Sequence, residues 1–222
     1  KNYKYLTYER SKEIIHNEIS MIDIYGNDNM NPKIRKQSKD SNQCIDKNLE
    51  HIFPQSFFKN NQNKKFMKSD LHNLYLCNSK LNTYRQNFKY IDTSELDDNM
   101  ITKNDKILDC DGNLIDFSDK SNLMKKNGFL MITNKKNKTF IPTEYSRGKV
   151  ARSISYFTIK YNLIDDLNKI INPLTLIKWN YYDPVDNYEN LKNIISYRYQ
   201  KNLNPFLINS DLVYYCFSDL CQ

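Results

Sequence analysis

Histidine is scarce in this 222-residue chain, with three copies at positions 16, 51 and 72. Imidazole chemistry is therefore confined to very few places. The five cysteines (Cys44, Cys77, Cys110, Cys216, Cys221) are scattered and none forms a Cys-x-x-Cys pair, which argues against a structural zinc site. Two disulfides with one free thiol and five reduced thiols both stay open. No apolar run approaches the roughly 20 residues that span a bilayer, so no membrane partner is expected. The first residue is Lys1 and no signal-peptide pattern follows. The chain reads as a processed or trimmed product, whose targeting segment would not be visible. Internal repeats are missing, and no break demands two domains, so residues 1–222 are expected to form one monomeric domain.

What is present can build a core. Hydrophobic residues make up 39%, including 17 Tyr and 11 Phe, and the periodic segments hold enough Leu, Ile and Phe to pack. The formal charge is +7 and the pI about 9.0, which suits a polyanion such as nucleic acid. Abundant Lys, Asn, Ile and Tyr also reflect A+T-rich codons, so charge alone does not decide the partner.

The N-terminal part (1–48) reads as a helix over Tyr8 to Ile24, with Ile14, Ile15, Ile19 and Ile22 at helical spacing, then a polar loop. His16 falls on its exposed face. Leu49 to Phe53 reads as a strand closed by Pro54. A lysine-rich loop spans 59–68, an apolar piece covers Leu71 to Leu76, and a helix runs from about Asn78 to Phe88. That helix carries Leu81, Tyr84 and Phe88 on one stripe and Asn78, Asn82 and Arg85 on another. Residues 91–106 read as an acidic loop. Hairpins are expected within 107–141, the first around Asp111-Gly112, the second joining Phe129–Ile132 to Phe140-Ile141. The last third (146–206) reads as helical: a stripe of Val150, Ile154, Phe157 and Tyr161, an Asn172-Pro173 start, and an Asp186 cap. The class is α+β.

Residues 49–88 hold two of the three histidines, an acid beside one of them, several amides and an arginine. Phosphodiester hydrolysis needs a nucleophile at neutral pH and relief of charge on phosphoryl oxygens. A Mg²⁺ ion supplies the second and needs only one or two protein oxygens. Glu50 with the Asn82 amide oxygen is a suitable minimal pair. A neutral histidine takes a proton from water near pH 7, and a guanidinium such as Arg85 can clamp a phosphate. Adjacent strand residues point to opposite faces, so Glu50 and His51 can share a site only where the strand turns.

The pattern Glu50-His51-Ile52-Phe53-Pro54-Gln55-Ser56, then Ser69-Asp70-Leu71-His72-Asn73-Leu74, then Leu81-Asn82 and Arg85-Gln86-Asn87, resembles the endonuclease I family. The similarity continues in Arg147-Gly148-Lys149-Val150-Ala151-Arg152, in Trp179-Asn180 with Asp183-Pro184-Val185, and in Asn202–Phe206. The resemblance implies a ββα-metal (His-Me) finger with Glu50 and Asn82 on Mg²⁺ (Ca²⁺ or Mn²⁺ as alternatives) and His51 as general base. It implies a role for Arg85 at the phosphate, and supporting or structural roles for His72, Asn73 and Asn87. Further phosphate contacts are expected from Lys64, Lys65, Lys68, Arg147 and Arg152. The substrates implied are DNA and RNA, cut with little sequence preference to 5′-phosphate products, by a secreted or periplasmic enzyme.

Two departures stand out. Family members often carry an arginine between the first two motifs, and this chain has none between Glu50 and Arg85, where Lys59, Lys64, Lys65 and Lys68 stand in the loop instead. The family's disulfides are also not reproduced in full. Two rival readings stay open: a noncatalytic basic module that binds nucleic acid, and a His-Me nuclease with a defined target.

Overall fold

Helix dominates this computed structural model, beside two small sheets. It describes residues 3–19, 22–26, 47–95, 106–108, 114–115, 130–132 and 138–221. Helix α1 (Tyr8–Glu18) starts where the Thr7 hydroxyl accepts the Arg10 N–H, and buries Ile14 and Ile15, with buried Ile19 at its end. It is shorter than the expected run to Ile24. The reason lies in Asp23, which pairs as an isolated bridge with Leu76, and in Ile24, whose N–H donates to the Leu76 carbonyl at 2.8 Å. The chain has left the helix by Asp23 and turns at Ile24 and Tyr25. The polar loop expected after the helix lies largely outside the described residues.

Strand β1 (Lys47–His51) pairs antiparallel with β2 (Leu74–Asn78), placing Glu50 opposite Tyr75 and His51 opposite Leu74. The strand ends two residues before the expected Phe53. Beyond it, the Asn73 carboxamide takes over from the ladder, accepting the Phe53 N–H at 2.7 Å and donating to the Phe53 carbonyl at 3.1 Å. The lysine-rich loop contains a short helix, α2 (Lys64–Lys68). Helix α3 (Ser79–Arg85) follows β2 directly, capped by the Asn78 side chain, which accepts from the Lys80 and Leu81 N–H groups. It stops short of the expected Phe88 because Gln86 turns to φ 52, a region that ends helices.

A second sheet orders its strands β3-β7-β6-β4-β5, from β3 (Lys89–Tyr90), β4 (Lys106–Leu108), β5 (Leu114–Ile115), β6 (Leu130–Ile132) and β7 (Thr139–Ile141). The two expected hairpin pairings are present, Ile107 with Ile115 and Met131 with Ile141. Their turns lie outside the described residues. β3 joins β7 in parallel.

The remaining described chain is helical: α4 (Glu144–Tyr161), α5 (Ile164–Ile170), α6 (Pro173–Tyr182), α7 (Asn187–Gln200), α8 (Pro205–Ile208) and α9 (Leu212–Phe217). Asn172 caps α6 with Pro173 in its first turn, and Asp186 with Glu189 forms a capping box on α7, which satisfies backbone donors otherwise left without partners. α7 turns Leu191 and Ile194 outward and buries Glu189, Lys192 and Ile195. One apolar cluster joins Ile14, Phe53, Leu81, Phe140, Phe157, Trp179 and Phe217, each large side chain contributing about 1.5–3 kcal/mol by leaving water. Cys77, Cys216 and Cys221 are free, and Cys44 and Cys110 fall outside the described residues. Among the described residues no helix is long and apolar enough to cross a membrane.

Candidate active site

β1, β2 and α3 bring Glu50, His51, Asn82, Arg85 and Asn87 to one cleft of about 260 Å³, together with Gln55. Glu50 and His51 share it although they are neighbours on a strand. His51 is the last residue of β1, and the chain bends at Ile52 and Phe53.

The imidazole of His51 is held at both nitrogens. Nε2 lies 2.9 Å from the Lys68 carbonyl at the end of α2, and Nδ1 lies 3.2 Å from the Gln55 side-chain nitrogen. A carbonyl only accepts, so Nε2 carries the hydrogen and Nδ1 keeps its lone pair. The Tyr8 ring stacks on the imidazole with centroids 5.9 Å apart. Burial lowers the His51 pKa to about 4, against the pull of the Lys68 carbonyl and with the help of the Lys68 and Arg85 charges. The group is therefore neutral at pH 7.

Glu50 is buried, and its Oε1 accepts from the Tyr25 hydroxyl at 3.0 Å and meets Arg85 Nη1 at 3.1 Å. Burial raises its pKa, and the opposing Arg85 charge and Tyr25 hydrogen bond do not fully offset that. Lining the cleft, the carboxylate is a hard oxygen donor of the kind a divalent cation takes. Asn82 donates through Nδ2 to the Leu49 carbonyl at 3.1 Å, which leaves its amide oxygen as a ligand for a hard cation. Among the described residues no three His, Cys, Asp or Glu side chains form a metal group. One carboxylate and one amide are nonetheless enough for an ion that keeps most of its waters.

Arg85 does not stand as the expected phosphate clamp. Its side chain is 1% exposed, with Nη1 donating to the His51 and Gln86 carbonyls and Nη2 to Ile52 O at 2.8 Å. The guanidinium also lies over the Tyr90 ring, 4.5 Å from its centroid. It braces Glu50 and the end of β1 from below. Arg152 cannot touch a substrate phosphate either, since it is fully buried in a two-pronged pair with Glu189 at 2.9 and 2.6 Å. Arg147 lines a separate hollow of about 450 Å³, where it pairs with Asp92 at 3.3 Å and lies over Trp179. That hollow is larger than the cleft, but no histidine lines it and neither Glu50 nor Asn82 reaches it. Lys64 and Lys65 are exposed on α2, while Lys68 is half-buried with Nζ over the Tyr8 ring.

His72 is buried, its Nε2 3.4 Å from the Asn202 carbonyl and its ring against Tyr156. Asn73 holds Phe53 as described, and Asn87 donates to Ser56 at 3.2 Å. Three contributors to the site carry no motif: Tyr25, whose hydroxyl also lies 2.6 Å from that of Tyr90; Tyr90 itself; and the Lys68 carbonyl. Tyr25 sits where the sequence suggests only a helix stop, and a carbonyl has no signature at all.

A comparison with curated proteins finds no match. The endonuclease I family model matches residues 1–211, nearly the whole chain and all of the cleft. With that extent of match, the chain belongs to the endonuclease I family.

Proposed function

We propose that this chain is a divalent-metal-dependent endonuclease that hydrolyses DNA and RNA with little sequence preference. In this reading β1, β2 and α3 form a ββα-metal finger, and the whole chain is one nuclease unit acting as a monomer. The observation that carries it is the placement of His51, its Nε2 tied to Lys68 O and its Nδ1 turned to the cleft it shares with Glu50 and Asn82. His51 Nδ1 takes a proton from water as that water attacks phosphorus, and a 5′-phosphate product follows. Glu50 and Asn82 hold Mg²⁺, which when bound relieves charge on the phosphoryl and leaving oxygens. Arg85 and Tyr25 keep the Glu50 carboxylate in place. Exposed Lys64 and Lys65 meet phosphates as point charges, which supports binding without base readout.

The deciding experiment is plasmid and RNA degradation by wild type and His51→Ala. Mg²⁺ is expected to support cleavage to a smear, EDTA to stop it, and His51→Ala to lower the rate by about 10²–10⁴-fold with retained binding. Wild-type protein that retards nucleic acid on a gel yet never cuts it points instead to a binding module. Discrete fragments point to a defined target.

A further inference from the structure

Gln55 is an exposed side chain on the cleft rim, in the motif but without an assigned task. It follows Pro54, opens the short 3₁₀ turn Gln55–Phe57, and places its amide nitrogen 3.2 Å from His51 Nδ1. An exposed glutamine is ordinarily just hydrated. Here it covers the one lone pair of His51 that can take a proton, because Nε2 is committed to Lys68 O. A water that is to lose its proton to Nδ1 can reach it only once the Gln55 amide, which sits directly on that nitrogen, swings off it. A carboxamide has a donor at one end and an acceptor at the other, and rotation about its last bond exchanges them.

The geometry points to Gln55 as the group that seats the attacking water; this rests on the reading of His51 as general base. With the exposed side chain swung off Nδ1 and its oxygen turned inward, one hydrogen of a water in the vacated place goes to His51 Nδ1 and the other to Gln55 Oε1. Both lone pairs of the water oxygen stay free, and one of them attacks phosphorus. The water oxygen then bonds to phosphorus and the P–O3′ bond breaks. One water proton ends on Nδ1, making an imidazolium, and the O3′ leaves with the bonding electrons and takes a proton from solvent. In the resting site the donor end occupies the Nδ1 lone pair.

Three substitutions separate this from simpler roles, each assayed at pH 8 with saturating Mg²⁺ on a labelled DNA duplex. Gln55→Ala and Gln55→Met are expected to lower kcat by about 10- to 100-fold, the scale of a misplaced reactant, with KM within about twofold of wild type. Gln55→Glu keeps an acceptor for the water but loses the donor to Nδ1, so it is expected to recover most of kcat. Ala and Met variants as fast as wild type, or faster, overturn the inference. So does a Glu variant as slow as Met, which means that Gln55 only orients the ring through its donor. A raised KM with unchanged kcat also overturns it and makes Gln55 a substrate contact. Thermal midpoints matching wild type check that each variant is folded. His51→Ala run alongside keeps the two ideas apart: if it cleaves normally, or if wild type is inert, the nuclease reading itself has failed and this inference goes with it.

Discussion

Tyr25 reaches Glu50 from outside the forty residues that carry the motif, and its hydroxyl meets Oε1 at 3.0 Å and the Tyr90 hydroxyl at 2.6 Å. Burial pushes the Tyr25 pKa well up, so it stays a donor at any working pH. Groups behind a metal ligand set its direction and charge, and losing one typically weakens metal binding about 10- to 100-fold. Tyr25→Phe keeps the ring against Phe140 and removes only the hydroxyl. The half-saturating Mg²⁺ concentration for cleavage is expected to rise about 10-fold, with kcat at saturating metal close to wild type. A Mg²⁺ titration of the rate measures this. An unchanged half-saturation would detach Tyr25 from the ligand's behaviour.

Between elements, one guanidinium ties three helices. Arg152 of α4 pairs with Glu189 of α7 and donates to Asn180 Oδ1 at 3.2 Å and to Asp183 O at 2.7 Å, at the end of α6. Both charges of the pair are fully buried. Removing one partner of such a pair costs about 3–5 kcal/mol, whereas replacing both by packed apolar groups is often close to neutral. Arg152→Met is therefore expected to lower stability by that amount in urea unfolding, and Arg152→Met with Glu189→Leu to restore much of it. A single variant as stable as wild type would mean the pair holds nothing together. The same residue shows where sequence reading stops. The caps Asn172-Pro173 and Asp186 are legible because donor and acceptor lie within three residues of each other. Arg152 and Arg85 look like phosphate contacts because their partners, Glu189 and Glu50, stand 37 and 35 positions away. Glu50, His51 and Asn82 are legible through the motif. Tyr25 is not, because an edge bridge to Leu76 delivers it and no local pattern announces such a bridge.

Across the whole molecule, Asp70 joins the segment before β2 to the C-terminal helices. Its carboxylate accepts from Tyr156 and Tyr161 hydroxyls, Lys160 Nζ and Gln200 Nε2, and the Leu71 N–H donates to the Gln200 side chain at 2.7 Å. Burial acts to raise the Asp70 pKa, but Lys160, His72 and the hydrogen bonds outweigh it and hold the group down to about 2. Beside it, burial lowers the His72 pKa to about 4, with Asp70 opposing and Lys192 and Lys160 assisting. The signs give an ordered loss of stability in acid. A histidine kept neutral in the fold is protonated first in the unfolded chain. As pH falls from the ordinary 6.5 towards 4, the unfolded state gains protons that the native state does not bind, and stability drops by on the order of 3 kcal/mol at His72. The low pKa of Asp70 acts later. Its contribution is intact above the ordinary carboxylate value of 3.8 and is lost as pH falls from there to about 2. Urea unfolding at pH 8, 6, 5 and 4 is expected to show stability falling from pH 6 downward. In His72→Gln, whose amide can still donate to Asn202 O, the fall should be shallower by about the amount assigned to His72. Equal slopes in wild type and variant would show that His72 titrates alike in both states, and that its burial does not set the acid limit of the fold.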